Sequence, residues 1–242
     1  MAAASRTQRT RGRAAARKPV RTSQRAYNDA MTEHVILLHG VWMRGLTLLS
    51  LARRLRVAGF GVEVFDYASV FGPLDATCER MRTRMREAGA DRVHLVGHSL
   101  GGIVALEATR RARDLPRGNI VCLGPPLGGS SVARVLAGVP GGRWLLGANR
   151  DALVDGVERW DRSRPVGVVA GQLPFGLGIS IGALAAPHDG TVAVAETQLD
   201  GLADHCTVSA THTGLLFSSA VADLTVGFLR TSRFGKETRV EG

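Results

Sequence analysis

The sequence predicts an α/β fold in which a mostly parallel central sheet carries helices on both faces. Short apolar runs, typical of strands buried on both faces, alternate along the chain with longer segments whose apolar residues recur at helical spacing. Glycine and proline separate these segments. The chain has 242 residues, of which 45% are hydrophobic, so it is long enough to bury one large core. Because strands that alternate with helices usually pair in parallel, these observations indicate a single α/β domain.

In the first part of the chain, strand and helix signals follow one another regularly. The predicted strands are mostly apolar runs and comprise residues 35–38, 61–67 and 92–96. The predicted helices have apolar side chains three or four positions apart and end at a glycine; they comprise residues 48–58 and 73–88. A sharp turn at residues 97–101 then leads into a third helix, which is expected to extend to about Arg113.

The second part of the chain carries further strand signals and one interruption. Strands are predicted at residues 119–123, 166–169 and 205–208, before a closing helix. Residues 128–160 are rich in glycine and partly helical, which is compatible with a cap over the site or with ordinary packing helices. We therefore expect the folded domain to span residues 31–232 and to be followed by a flexible C-terminus at 233–242.

Residues 166–186 contain no charged side chain and are long enough to cross a bilayer. Five glycines, Pro174 and Gln172 interrupt this segment and favour a buried strand followed by a glycine-rich loop. We therefore expect no stable membrane insertion.

Most of the positive charge lies in the first thirty residues. The formal net charge is +10, and the arginines and lysine of residues 1–30 against Asp29 account for +7 of it, which leaves +3 for the rest. The folded domain is thus not basic enough to predict nucleic-acid binding. We interpret residues 1–30 as a disordered basic tail. The alternatives are a natural start at Met31, a transit peptide, or a tail that contacts anionic partners.

The cysteines and the N-terminus bear on the compartment. Cys78, Cys122 and Cys206 form no CxxC pair and lie in apolar stretches, which predicts buried free thiols. The N-terminus has no apolar signal-peptide core. We expect a cytoplasmic protein.

The segment Gly97-His98-Ser99-Leu100-Gly101 predicts a nucleophilic serine. The GxSxG pattern occurs a second time, around Ser180, so the context has to decide between the two. Ser99 lies between a predicted strand and a predicted helix, as a nucleophile elbow requires. Ser180 lies in an apolar glycine-rich run, and we interpret it as structural.

A serine nucleophile needs an imidazole base and a carboxylate that orients it. His212 follows the last predicted strand, whereas His205 opens that strand and is expected at the opposite edge of the sheet. Asp189 follows the strand at 166–169 and gives the order Ser, Asp, His. Asp200 and Asp204 also precede His212 and remain alternatives.

The oxyanion formed by attack on an ester must be met by backbone amides. Leu100, directly after the serine, is expected to supply one amide. Val41 is expected to supply the other, with Trp42 as the alternative. His39 and Gly40 end the first strand and are expected to shape this loop rather than to act as a base.

Three segments of the chain resemble landmarks of the bacterial α/β-hydrolase-fold lipases and esterases. They are Leu37-Leu38-His39-Gly40, Gly97-His98-Ser99-Leu100-Gly101-Gly102, and the segment from Leu123 to Ser130. The resemblance extends over residues 33–230 and implies the α/β-hydrolase fold, with the family's roles falling on Ser99, Asp189, His212, Val41 and Leu100. Many such lipases have Thr-Pro-His where this chain has Pro125-Pro126-Leu127, and the calcium-site and disulfide patterns of secreted lipases are not evident.

The sequence thus predicts a serine hydrolase that cleaves carboxylic esters of apolar acids through an acyl-enzyme. A thioesterase or acyltransferase would use the same residues, and a non-catalytic scaffold that binds a partner through the basic tail is the alternative outside enzymes. The chain has no HExxH, P-loop or strand-following GxGxxG motif, so we expect neither a metal nor a cofactor. The expected partner is a small-molecule ester, and the sequence makes no prediction about oligomeric state.

Overall fold

A parallel six-stranded sheet forms the centre of the computed structural model, which describes residues 33–176 and 184–235. The strands are arranged in the order β2-β1-β3-β4-β5-β6, and all of their pairings are parallel. They are β1 (Glu33–Leu38), β2 (Gly61–Phe65), β3 (Arg92–His98), β4 (Ile120–Leu123), β5 (Val166–Gly171) and β6 (Asp204–Val208). The predicted parallel α/β sheet is confirmed.

Helices connect the strands, and several shorter 3₁₀ turns accompany them. The α-helices of the described residues are α1 (Leu49–Val57), α2 (Leu74–Glu87), α3 (Leu100–Thr109), α4 (Ser131–Gly138), α5 (Gly142–Leu146), α6 (Arg150–Asp155) and α7 (Ser219–Thr231). The 3₁₀ turns are Gly45–Leu48, Gly147–Asn149, Val194–Thr197 and Gly214–Leu216. No helix of residues 33–176 and 184–235 is long and apolar enough to cross a membrane.

The sheet is covered on both faces, which explains its continuous apolar strands. In β1, Ile36 and Leu38 pack into a core shared with α2 and α3. Val35 and Leu37 point the opposite way, into a core shared with α1 and α7. Because side chains alternate across a strand, a strand buried on both faces must be apolar at every position. The run Val35 to Leu38 therefore carries a strand signal without alternation.

The order of the strands reverses between β1 and β3. From β1 the chain crosses to β2 on one side, and it then returns to place β3 on the other side of β1. In parallel sheets the connections leave in opposite directions at such a point, which opens a crevice at the carboxyl ends of the two strands. The loops after Leu38 and His98 meet at this crevice.

Residues 128–160 contribute α4, α5 and α6 between β4 and β5. Leu146, Leu153 and Trp160 from this segment are buried in the core. Trp144 and Leu145 are exposed instead, and the backbone oxygen of Leu145 accepts a hydrogen bond from Trp42 in the loop after β1. The segment thus packs on the sheet at one end and contacts the loop after β1 at the other. A mobile cap here stays a prediction.

Strand β2 ends at Phe65 rather than at residue 67, and the structure differs from expectation at two further places. Helix α3 ends at Thr109 rather than near Arg113, because Arg111 adopts a left-handed φ of 60° that a helix does not allow. Cys206 is only half-buried, since it lies on β6 at the edge of the sheet, while Cys78 and Cys122 are buried free thiols. The predicted tail at 1–30, the Met31 start, the second GxSxG at 178–182 and residues 236–242 lie outside the described residues.

Candidate active site

Ser99 stands in a strained turn between β3 and α3. Its φ of 54° and ψ of −122° are rarely adopted by residues other than glycine. The turn requires Gly97, because a Cβ there would lie 2.3 Å from the backbone oxygen of Gly101. The amide of Ser99 donates to Leu123 O at 2.9 Å, which ties the turn to the end of β4. This is the geometry of a nucleophile elbow.

Close packing of the first turn of α3 explains the glycines after Ser99. A Cβ on Gly101 would lie 2.6 Å from Leu38 O at the end of β1. A Cβ on Gly102 would lie 2.9 Å from the side chain of Pro125, just after β4. The helix N-terminus can therefore lie directly over the strand ends, with its free amides and positive dipole end beside Ser99.

Asp189 and His212 form a hydrogen-bonded pair. His212 Nδ1 lies 2.7 Å from Asp189 Oδ2. The other carboxylate oxygen accepts the amides of Thr191 at 2.9 Å and Val192 at 2.7 Å, and Asp189 is only 1% exposed. These bonds hold the carboxylate still. A carboxylate in this position makes Nδ1 the protonated nitrogen of a neutral imidazole and leaves Nε2 free to accept a proton.

Strand ends bring this pair to the elbow. Gly171 ends β5, and a Cβ there would lie 2.7 Å from the Cβ of Asp189. Gly124 follows β4 with a left-handed φ of 56°, and a Cβ there would lie 3.1 Å from His212 Nδ1. The backbone oxygen of Leu123, directly before Gly124, accepts the hydrogen bond from the Ser99 amide. The predicted nucleophile, acid and base thus gather at the carboxyl edge of the sheet.

The loop from His39 to Met43 lies against the elbow. A Cβ on Gly40 would lie 3.1 Å from the Cβ of Ser99. The amide of Met43 donates to Gly40 O at 3.3 Å, and Trp42 has a left-handed φ of 58° within this turn. The two predicted oxyanion donors, Val41 and Leu100, therefore follow residues that contact one another at the elbow.

Comparison with known proteins identifies the family of this chain. Residues 35–175 match the model of the alpha/beta hydrolase family, which is more than half of the chain. The chain belongs to the alpha/beta hydrolase family. A search of curated proteins gave no match.

Solved structures share the fold of this α/β hydrolase at low sequence identity. The mature form of a lipase from Bacillus licheniformis has a TM-score of 0.67 and 17% identity over 84% of this chain and 93% of that one. The propeptide form of that lipase is twice as long as the matched region, which covers 50% of it and 81% of this chain. A metagenomic carboxyl esterase has a TM-score of 0.56 and 16% identity over 76% of this chain and 65% of that one.

His39 holds the loop of this α/β hydrolase in place. Its ring stacks on Tyr67 with 4.4 Å between ring centroids, and the Tyr67 hydroxyl donates to His39 O at 2.7 Å. Nδ1 lies 2.9 Å from Gly40 O, and Nε2 lies 2.9 Å from Asp66 Oδ1. Both ring nitrogens are thus occupied by partners in the loop and β2 region, which fits the expected shaping role.

His98 has a contact that sequence reasoning missed. Its Nε2 lies 2.9 Å from His212 O, and the two rings are 4.6 Å apart. Burial, followed by the proximity of His212, lowers the pKa of His98 to about 3, so its ring is neutral near pH 7. The neutral ring donates from Nε2 to the His212 carbonyl. His98 thereby fixes the backbone of His212, the predicted base. Its position next to Ser99 is the feature of the sequence that could have indicated this contact.

The competing carboxylates lie elsewhere. Asp204 begins β6, at the amino edge of the sheet, and accepts the amides of His205 and Phe234, both at 2.9 Å. Asp200 lies in the turn just before β6. His205 itself lies 2.8 Å from the Thr197 hydroxyl. Ser180 lies outside the described residues, so its structural role stays a prediction.

Three exposed aromatic side chains lie in or beside the loop after β1. We call Trp42, Phe71 and Trp144 the aromatic ledge; they are 53%, 69% and 65% exposed. The Trp42 ring centroid lies 6.0 Å from that of Trp144 and 6.5 Å from that of Phe71. Trp42 Nε1 donates to Leu145 O at 2.8 Å, which joins the loop after β1 to α5. The three residues are far apart in the sequence, and only the fold brings them together.

Proposed function

We propose that this α/β hydrolase cleaves carboxylic esters through an acyl-enzyme formed on Ser99. The observation that carries the proposal is the buried Asp189–His212 pair, hydrogen-bonded at 2.7 Å and gathered by strand ends beside a strained serine. A serine hydroxyl is a weak nucleophile near neutral pH, and this arrangement supplies the base it needs. A scaffold without catalysis would have no use for the strain at Ser99.

The proposed reaction has two halves. His212 Nε2 takes the proton of Ser99 Oγ as the oxygen attacks the ester carbonyl, and Asp189 stabilises the resulting imidazolium. The carbonyl oxygen becomes an oxyanion between the amides of Val41 and Leu100. The carbonyl re-forms, the alcohol leaves with the proton from His212, and the acyl group stays on Ser99. Water then attacks in the same way and releases the carboxylic acid.

The aromatic ledge supports an apolar acyl group as the substrate portion. Exposed aromatic side chains gain stability when they are covered by apolar surface. The ledge continues from the oxyanion loop, so an acyl chain whose carbonyl lies at Val41 could lie along Trp42. A cavity of about 230 Å³ opens here and is lined by Trp42, Met43, Tyr67, Val70 and Phe71, among others. We propose apolar esters over charged ones.

Turnover of p-nitrophenyl esters of increasing acyl length tests the proposal. We expect the natural chain to hydrolyse them and Ser99→Ala to lose at least about 10⁴-fold in kcat. Ser180→Ala, the serine of the other GxSxG, is the matched control and should retain activity. Loss in Ser180→Ala with retention in Ser99→Ala would refute the assignment. No turnover of any ester by the folded natural chain would favour thioesters or acyl transfer.

The cytoplasm remains the proposed location. Cys78 and Cys122 are buried free thiols, and burial raises the pKa of Cys78 to about 12. Unpaired thiols of this kind are typical of proteins from a reducing compartment.

A further inference from the structure

A positively charged region lies at the amino edge of the sheet, opposite the candidate active site. A cavity of about 760 Å³ opens there between the start of β3, the loop before β4 and the loop before β5. Within residues 33–176 and 184–235, five arginines line it: Arg92, Arg111, Arg113, Arg117 and Arg164. We call this the arginine cavity. Among the described residues that line it, Asp161 is the one carboxylate.

Contacts with the backbone bring three of these arginines close together. Arg92 and Arg117 are partners in a parallel β-bridge, so their side chains start from neighbouring positions on the same face. Arg164 is buried, and its guanidinium donates to the carbonyls of Val93 and Pro116, the residues adjacent to that bridge pair. Burial lowers the pKa of Arg164 to about 10, so it is still charged near pH 7. Three guanidinium-bearing residues thus meet at one wall of the cavity.

In the part of the chain that the structure describes, the carboxylate that lines the cavity does not offset this charge. Asp161 is engaged by the backbone, since its oxygens accept the amides of Arg111 at 2.8 Å and Ser163 at 3.0 Å. Within residues 33–176 and 184–235, and with Asp91 set aside, no carboxylate lies within 4.0 Å of the guanidinium nitrogens of Arg111, Arg113 or Arg117. The cavity therefore presents guanidinium groups that have donors to spare.

The charges of these arginines also affect a buried histidine beside the cavity. His94 follows Arg92 by two positions on β3, and its pKa falls to about 4. Burial is the main cause, and the charges of Arg92 and Arg164 lower it further. The ring is therefore neutral near pH 7 and adds no charge to the cavity. Glu33 lies 3.6 Å from His94 Nε2 and 3.9 Å from Arg92 Nε, at the edge of this group.

We propose that the arginine cavity binds a small oligophosphate anion, a ligand with two or more linked phosphate groups. Guanidinium groups match phosphate oxygens in paired hydrogen bonds, and several arginines around one cavity suit several adjacent phosphates. The volume falls in the range of small-ligand sites. A ligand at the amino edge lies across the sheet from Ser99, so this site is separate from the proposed hydrolysis.

Calorimetric titration of the full chain with inorganic triphosphate, at constant ionic strength, tests the proposal. We expect saturable binding with one ligand per chain, and weaker binding of orthophosphate. The double variant R113Q/R117Q removes two exposed charges without touching the buried Arg164 and should weaken binding at least about tenfold. R53Q, an exposed arginine on α1, is the matched control and should bind as the natural chain does.

Several results would overturn the inference. These are the absence of saturable triphosphate binding, equal losses in R113Q/R117Q and R53Q, equal affinity for orthophosphate, or binding of a DNA oligonucleotide but not of triphosphate. The test does not depend on the proposed function, because Ser99→Ala should bind triphosphate normally and R113Q/R117Q should hydrolyse esters normally. Thermal unfolding with and without triphosphate checks that the double variant is folded.

Discussion

The two edges of the parallel sheet differ in how their charges are balanced. At the carboxyl edge, Asp189 is buried, paired with His212 and bonded to two backbone amides. At the amino edge, arginines gather around a cavity whose lining carboxylate, Asp161, is used by the backbone. A parallel sheet sorts its loops in this way, because every connection that leaves a strand lies at one edge and every connection that enters a strand lies at the other. We propose ester hydrolysis at the carboxyl edge and anion binding at the amino edge.

Of the changes that distinguish the two edges, replacement of the buried Asp189 carboxylate should have the largest effect. We expect Asp189→Asn to lower kcat for a p-nitrophenyl ester by about 10⁴-fold, because an amide does not enforce the tautomer in which Nε2 accepts a proton. Asp204→Asn alters a carboxylate at the amino edge and should leave kcat within a few fold. Similar losses in the two variants would contradict the assignment of Asp189.

The close packing at the elbow gives a stability prediction. Gly97→Ala would place a Cβ 2.3 Å from Gly101 O, and we expect a loss of about 3 kcal/mol in the free energy of unfolding. Gly227→Ala, in α7, meets nothing within 4 Å and should raise stability by about 0.8 kcal/mol through its helix propensity. Urea unfolding of both variants measures the difference. An unchanged midpoint for Gly97→Ala would show that the turn relaxes.

Acid should destabilise the protein through its buried histidines. The folded-state pKa of His94 is about 4, below the usual 6.5, so the unfolded chain binds more protons between these values. Stability is therefore present above about pH 6.5 and is lost as the pH falls towards 4, with about 3 kcal/mol as the order of magnitude for this residue. His94→Asn keeps an acceptor for the amide of Asn119 and should reduce the loss between pH 7 and pH 5. Identical losses in the variant and the natural chain would rule out His94 as a source.

Loss of the hydrogen bond between Trp42 and α5 should have the smallest effect. Trp42→Phe keeps a ring in the ledge but removes the hydrogen bond to Leu145 O, which is worth about 1 kcal/mol. We expect kcat/KM to fall about fivefold, and more for long acyl chains in Trp42→Ala. Val57→Ala, an exposed position on α1, is the control. Equal effects on short and long esters would separate Trp42 from acyl binding.

The local pattern of apolar and polar residues was sufficient to predict the fold class and the order of the helices and strands. Strands such as β1 lie on both apolar cores at once, and their unbroken apolar runs carry that information. The end of α3 was placed too late, because a tertiary hydrogen bond from the Arg111 amide to Asp161 accompanies the left-handed turn there. Propensity alone has no access to that bond.

The sequence by itself determined the parallel α/β fold and proposed Ser99, Asp189 and His212 from their order and their places after predicted strands. Only the tertiary structure decided that Asp189 rather than Asp204 meets His212, that His98 holds the backbone of the base, and that Trp42 touches Trp144. It also decided that arginines scattered from Arg92 to Arg164 share one cavity. The physical reason is that the spacing of apolar residues shows which face of a helix or strand is buried. Contacts between residues at different strand ends depend instead on strand register and on the crossovers that connect distant parts of the chain.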